Sequence, residues 1–292
     1  MRIGLVILPE HRWAEAAPRW RAAQEWGFAH AWTYDHLGWR TLLDGPWFDV
    51  VTTLTAAASV TTTIPLGTYV ISPNFRHPVT LARQLLGIDD VSGGRLLVGV
   101  GAGGGGGYDG SVLGQAQLTP GELVSRLGEF VELTDLLLRQ PVTSYAGRWY
   151  TAVQARSHPG PVQRPRPPLI VAATGPRAMG VAARLGDGWL TNGPRLGEGG
   201  TVSEWWAELT DMCRRFEDLT AGRDVARYLN VDAAPLFSLS SWDFFEEQVG
   251  RAEQLGFTDV QVHWPRPDGV YAGDPRLLDR VAGTLLSPHA EP

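Results

Sequence analysis

Three times along this 292-residue chain a helical stretch runs into a glycine and out again as a strand. The copies are AAQEWGFAHAW from Ala22, AARLGDGWLT from Ala182 and AEQLGFTDVQV from Ala252. A glycine at that joint suits the left-handed position that ends a helix. A chain that repeats the joint must alternate helices with strands, which predicts a parallel sheet with helices outside it. Strands are expected at 2–8, 28–34, 66–72, 95–101, 169–173, 188–191, 228–237 and 258–263. Helices are expected at 12–26, 48–60, 78–91, 120–138, 176–185, 202–219, 242–255 and 275–286. Eight of each make an α/β protein of the (β/α)8, or TIM barrel, type. An open doubly wound sheet is the alternative, but the first βα turn, LPEHRW, lacks GxGxxG. Residues 140–167, with Tyr145, Trp149, Tyr150 and a run of prolines from Pro159 that ends at Pro168 just past the edge, break the rhythm after the fourth helix. They are expected to form a small hairpin and an extended insertion, too short to be a domain, so 1–292 is read as one barrel domain.

The fourth strand carries the most unusual composition. LLVGVGAGGGGGYD, Leu96 to Asp109, places glycine at 99, 101 and 103 and then opens into five glycines, Gly103 to Gly107. Glycine permits positive φ and close backbone approach, so the stretch is expected to floor a flat ligand. A disordered glycine linker is the competing reading. The tract is short, leaves a core strand directly, and is followed at once by Tyr108 and Asp109.

Composition excludes several classes of function. The chain has no lysine, so all 25 of its basic residues are arginine. That removes Schiff-base chemistry and a P-loop lysine. One cysteine, Cys213, leaves no internal disulfide and no cysteine-based metal cluster. A net charge of −6 gives no basic footprint for nucleic acid or anionic membrane. MRIGLVILPE lacks the features of a signal peptide and no apolar run approaches a span, so a cytoplasmic protein is expected.

In a barrel, ligands meet the C-terminal ends of the strands. Those ends deliver His11, then Asp35 and His36, then Tyr69 and Ser72, then the glycine loop. The later strands give Thr174 and Gly175, Asn192, and finally His263 and Trp264. Asp35 and His36 are adjacent on an extended strand, so one can face the ligand while the other braces the loop. A histidine at a barrel mouth suits proton transfer near neutral pH, though it can equally cap a loop. Histidines 11, 36 and 263 with Asp35 raise a metal-dependent hydrolase as an alternative, but no pair has chelating HxH or HxxxH spacing, and no metal is expected. Ala173 to Met179, ATGPRAM, turns through glycine into a helix with Arg177 in its first turn, which can serve an anion.

Several stretches together resemble the luciferase-like monooxygenase superfamily of flavin and deazaflavin enzymes. They are EWGFAHAWTYDH (Glu25 to His36), PLGTYVISPNFRHPVTLARQ (Pro65 to Gln84), VSGGRLLVGVGAG (Val91 to Gly103) and PPLIVAATGPRAMGVAARLGDGW (Pro167 to Trp189). The resemblance runs through nearly the whole chain. It implies a (β/α)8 barrel holding a planar ring at its C-terminal face. The Asp35-His36 pair looks like the version found in enzymes that use coenzyme F420, a deazaflavin, with FMN as the alternative cofactor. The resemblance also implies a cis peptide bond at Tyr69–Val70, with Ser72 and the Gly103–Gly104 floor near the ring. Ala173, Thr174, Gly175 and Pro176 would meet the cofactor phosphate, beside Asn192 and Arg195. The chain departs from the family at Gly104, where many of its deazaflavin dehydrogenases carry a glutamate. The proton must then come from His36, Tyr108, Asp109 or water. The expectation is an F420-dependent oxidoreductase, working mainly as a reductase of an activated C=C, C=N or C=O bond. Its substrate would be a bulky small molecule, natural-product or peptide-like, and the resemblance implies a homodimer. An FMN-dependent monooxygenase is the alternative within the family.

Overall fold

The structure is a computed structural model that describes residues 1–104 and 107–286. Its sheet closes on itself: the strand order is β1-β10-β9-β8-β7-β4-β3-β2. These strands are β1 (Arg2–Val6), β2 (His30–Thr33), β3 (Leu66–Thr68), β4 (Leu96–Gly101), β7 (Leu169–Ala172), β8 (Gly188–Thr191), β9 (Ala226–Asn230) and β10 (Asp259–His263). All are parallel to their neighbours. Closure overturns the doubly wound alternative and puts the strand ends on one rim. Outside the barrel lie α1 (Trp13–Glu25), α2 (Val50–Val60), α3 (Pro78–Val91), α5 (Pro120–Arg139), α6 (Pro176–Leu185), α7 (Val202–Thr220), α8 (Trp242–Gln254) and α9 (Arg276–Val281). The insertion carries an antiparallel hairpin, β5 (Val142–Ala146) with β6 (Thr151–Arg156).

The repeated joints have two physical causes. Gly27 and Gly256 stand at φ 82° and 75°, the left-handed position expected after a helix. Gly186 does not. A Cβ there would lie 2.8 Å from the Ala182 carbonyl oxygen and 2.9 Å from that of Gly188, so it is glycine for room. Room also decides the barrel interior. Trp32 is wholly buried inside it, and a Cβ on Gly67 of the next strand would fall 1.9 Å from the indole.

Three sequence expectations need correction. The third strand does not run to Ser72: regular pairing ends at Thr68, the Tyr69–Val70 bond is cis, and Ile71 rejoins Val100 by one bridge. Here the alternating glycines of β4 find their reason. A Cβ on Gly99 would meet the Thr68 carbonyl oxygen at 2.2 Å, and one on Gly101 would meet Val70 at 2.8 Å. Those two positions make room for the bulge of the neighbouring strand, not for a ligand. Next, β9 stops at Asn230 and breaks into a 3-10 turn, Val231–Ala233, ahead of Pro235. A proline cannot continue a central strand, and the turn redirects Asp232. Finally, Tyr108–Ser111 forms a short helix, α4, where a loop was expected. Gly105 and Gly106, the middle of the glycine tract, lie outside the described residues. No helix among the described residues is long and apolar enough to cross a membrane.

Candidate active site

A cavity of about 920 Å³ opens at the C-terminal rim. Of the residues expected at the site, His36, Tyr69, Val70, Ser72, Gly103, Asn192 and Arg195 line it. They come from four strand ends and from the loop after β8. Gly103 stands at φ 73°, and a Cβ there would meet Asn74 Nδ2 at 2.6 Å and Ser72 Oγ at 2.7 Å. The position therefore needs glycine both for conformation and for space. Asn192 Oδ1 accepts from Asn230 Nδ2 at 2.9 Å, which leaves the Asn192 amide hydrogens for a ligand.

Asp35 and His36 lie just past the end of β2, and their side chains part company. His36 lines the cavity, and its Nδ1 lies 2.6 Å from Asp109 Oδ2. The other Asp109 oxygen accepts the Leu37 N–H at 2.7 Å. Asp109 is buried and does not itself line the cavity; it orients the imidazole, leaving Nε2 as the atom available to a ligand. Asp35 turns away to Arg76, whose Nη2 lies 2.6 Å from it and 2.7 Å from Asp49, the N-cap of α2. Burial pushes the Asp35 carboxyl up, against the pull of Arg76. The Arg76-His77-Pro78 run thereby finds its use. Arg76 ties the end of β2 to α2, His77 Nδ1 caps α3 by accepting the Val79 N–H, and Pro78 starts that helix.

The remaining expected residues lie off the cavity wall. Ala173 is buried, with its carbonyl accepting from Trp189 Nε1 at 2.8 Å. Thr174, Gly175 and Pro176 sit at the start of α6, where no side chain caps the helix. Tyr108 is 43% exposed and packs over Gly38, where a Cβ would meet its ring at 2.9 Å. At Gly104 a Cβ would meet no atom of the described residues closer than Gly107 N at 3.9 Å. The three histidines and Asp35 do not converge. His11 faces Glu10 and Glu15, His36 faces Asp109, His263 faces Asp232, and Asp35 faces Arg76. No group of three potential metal-binding side chains occurs among the described residues.

The sequence reading missed part of the wall. Tyr34, Arg40, Asp232 and Tyr271 line the cavity beside Trp39, an aromatic that the sequence does place near the mouth, and Tyr34 and Asp232 contact His263, which is wholly buried behind them. Tyr34 was hidden by the prominence of Asp35-His36 beside it, and Asp232 by its assignment to a longer strand. The only available signal was Pro235, which argues against a strand through that segment.

The sequence profile of the family described as Luciferase-like monooxygenase matches residues 1–215. A 5,10-methylenetetrahydromethanopterin reductase of Archaeoglobus fulgidus is 29% identical over 194 residues, 66% of this chain and 53% of the reductase, so the match spans about half of that relative's length. An F420-dependent glucose-6-phosphate dehydrogenase of Amycolatopsis mediterranei is 29% identical over 280 residues, covering 87% of this chain and 79% of the dehydrogenase. Among solved structures, the coenzyme F420-dependent tetrahydromethanopterin reductase of Methanopyrus kandleri superposes with a TM-score of 0.74. It shares 18% identity, and 99% of each chain is covered.

Proposed function

Because the chain belongs to the luciferase-like monooxygenase family, we propose that it is an F420-dependent oxidoreductase exchanging hydride with a small-molecule substrate. The observation that carries this reading is the convergence of Val70, Ser72, Gly103, Asn192, Arg195 and His36 on one cavity. The F420-dependent relatives support the choice of cofactor. The residues present fit a deazaflavin. Gly103 brings bare backbone to the cavity where a Cβ would crowd Ser72 and Asn74, Ser72 and Asn192 offer hydrogen bonds, and Arg195 offers a charge to a phosphate.

When bound, the deazaflavin supplies a carbon that gives or takes two electrons as hydride. The chain's own residues do the rest. Ser72, Gly103, Asn192 and Arg195 would hold the cofactor, and the aromatic wall of Tyr34, Trp39 and Tyr69 would keep water from the reacting atoms. His36, with Nδ1 held by Asp109, would carry a proton at Nε2. Glycine at 104 leaves out the family's usual acid, which favours reduction of an activated double bond.

Titration with F420 and with FMN, followed by tryptophan quenching, tests this reading. Tight binding of F420 and none of FMN is the expected result. Preference for FMN would redirect the search to oxygenation, and binding of neither would sink the cofactor assignment. Gly103→Ala should weaken F420 binding tenfold or more, whereas Gly104→Ala should leave it unchanged.

A further inference from the structure

Two arginines are buried among the described residues, and their surroundings differ. Arg166 is 6% exposed and meets two carboxylates, Asp135 and Asp187. Arg126, on the buried face of α5, is 9% exposed and meets no carboxylate among the described residues. Its Nη2 donates to the Asn74 amide oxygen, and its buried Nε has no partner among the described residues. Burial lowers its pKa, with the Tyr150 phenol opposing. An arginine stays charged inside a protein, and a buried charge without a counter-ion costs stability. Stability alone does not account for a guanidinium at that place.

What Arg126 holds is Asn74, which is itself buried and stands off the cavity wall. Asn74 Oδ1 faces a group that only donates, the guanidinium. Its Nδ2 faces a group that only accepts, the Gly104 carbonyl oxygen at 3.2 Å. Both partners therefore select the same orientation of the amide. The Asn74 backbone N–H donates to Ser72 Oγ at 3.2 Å. The far side of this unit bears on the cavity: Ser72 and Gly103 line it, and a Cβ on Gly103 would fall 2.6 Å from Asn74 Nδ2. Glycine loses more conformational freedom on ordering than any other residue. The Asn74 carboxamide removes part of that freedom before a ligand arrives, and Arg126 keeps the carboxamide turned toward Gly104.

We propose that Arg126 is a positioning residue for the cofactor: acting through Asn74, it holds Ser72 and the Gly103–Gly104 backbone in the arrangement that receives the deazaflavin. The proposal rests on the oxidoreductase reading and adds to it a residue of α5 that does not line the cavity. Less of the glycine segment then has to be ordered on binding, which is the general gain from preorganisation. Stability and binding should part at this residue. Replacing a buried charge by an apolar side chain of similar volume is often neutral or stabilising, whereas the cofactor would lose a fixed floor.

The test uses Asn74→Asp and Arg126→Met. The carboxylate of Asn74→Asp pairs with Arg126, and the backbone link to Ser72 is kept, but an oxygen replaces the N–H that faces Gly104. Titration with F420, followed by tryptophan quenching, should show about 10-fold weaker binding in each variant, the worth of one hydrogen bond. Urea midpoints should stay at or above that of the unaltered chain. Affinity within twofold of the unaltered chain in both variants overturns the proposal. So does a loss of affinity that comes only with lowered midpoints, since that makes Arg126 a residue of the core.

A second measurement needs no cofactor. In the chain labelled with 15N-asparagine, the side-chain amide signals that vanish in Asn74→Asp identify Asn74. They should shift, and exchange faster with solvent, in Arg126→Met. Signals unmoved by that substitution overturn the tether whether or not F420 binds. Failure of the unaltered chain to bind F420 strikes the oxidoreductase reading instead, and the tether is then decided by the amide signals.

Discussion

Strand β10 carries an imidazole–carboxylate contact at each end, and the two are built for different ends. At its start, Asp259 accepts from His30 Nε2 at 2.8 Å, from Arg2 at 2.7 Å and from Thr258 Oγ1 at 2.6 Å. His30 Nδ1 in turn accepts Trp32 Nε1–H at 2.6 Å. At its finish, His263 meets Asp232 on one side and two phenols on the other. The difference lies in the last group of each chain. An indole N–H only donates, so the lower chain is closed and can only hold the barrel together. A phenol both donates and accepts, so the upper chain ends on a group, Tyr271, that can still hydrogen-bond at the cavity it lines. A third pair, His36 with Asp109, sits on the rim, where the His36 side chain is 30% exposed.

Removing a carboxylate should break the closed pair most visibly. Asp259→Ala strands the buried His30 beside a buried gap, and loss of one member of a buried pair costs about 3–5 kcal/mol. Urea unfolding should report that loss while the folded fraction still binds F420 with unchanged affinity. A smaller cut is Trp32→Phe, which removes the indole N–H donated to His30 Nδ1. It should cost about 1–3 kcal/mol for the orphaned acceptor, and its measured loss will include the space that the indole filled. The matching cut above, Tyr34→Phe, should cost about 1 kcal/mol but disconnect Tyr271 from His263.

The upper end should also respond to pH. Burial makes His263 titrate lower in the folded chain than the ordinary value near 6.5. Between those two pKa values the unfolded chain binds more protons than the folded one, so stability falls as the pH drops through that window. Below both values the loss stops growing. His263→Asn, which keeps a donor toward Asp232, should flatten that segment of the urea midpoint between pH 7.5 and 5. A slope unchanged by the substitution would place the titrating group elsewhere.

How much of this was legible in the sequence depends on whether the cause was local. The barrel was, because glycine joints and aliphatic runs are local signals, and α3, α6 and β8 fall at the limits expected. His36 was legible as a residue at a strand end. Its partnership with Asp109, 73 positions away, was not. Both had been singled out separately, and only folding shows that they act as one unit. The glycines of β4 were recognised as necessary, but at 99 and 101 for the wrong neighbour, since a bulge in β3 has no signature in β4 itself. Tyr271 was invisible for the same reason. It lies past the last strand in a stretch without periodicity, and its hydroxyl pairs with that of Tyr34, 237 positions earlier.

The rim pair gives the smallest expected change in stability and separates anchoring from chemistry. Asp109 is buried, but His36 is partly open to water, so part of their attraction is screened. Asp109→Asn keeps an oxygen for the Leu37 N–H and replaces the charge beside Nδ1 with an amide of the same shape. Unfolding should shift by less than about 1 kcal/mol. Turnover should fall about 10- to 100-fold if His36 handles protons, because an amide no longer stabilises the imidazolium. A change in F420 affinity with turnover preserved would make the pair a wall of the cofactor seat and take the proton away from His36.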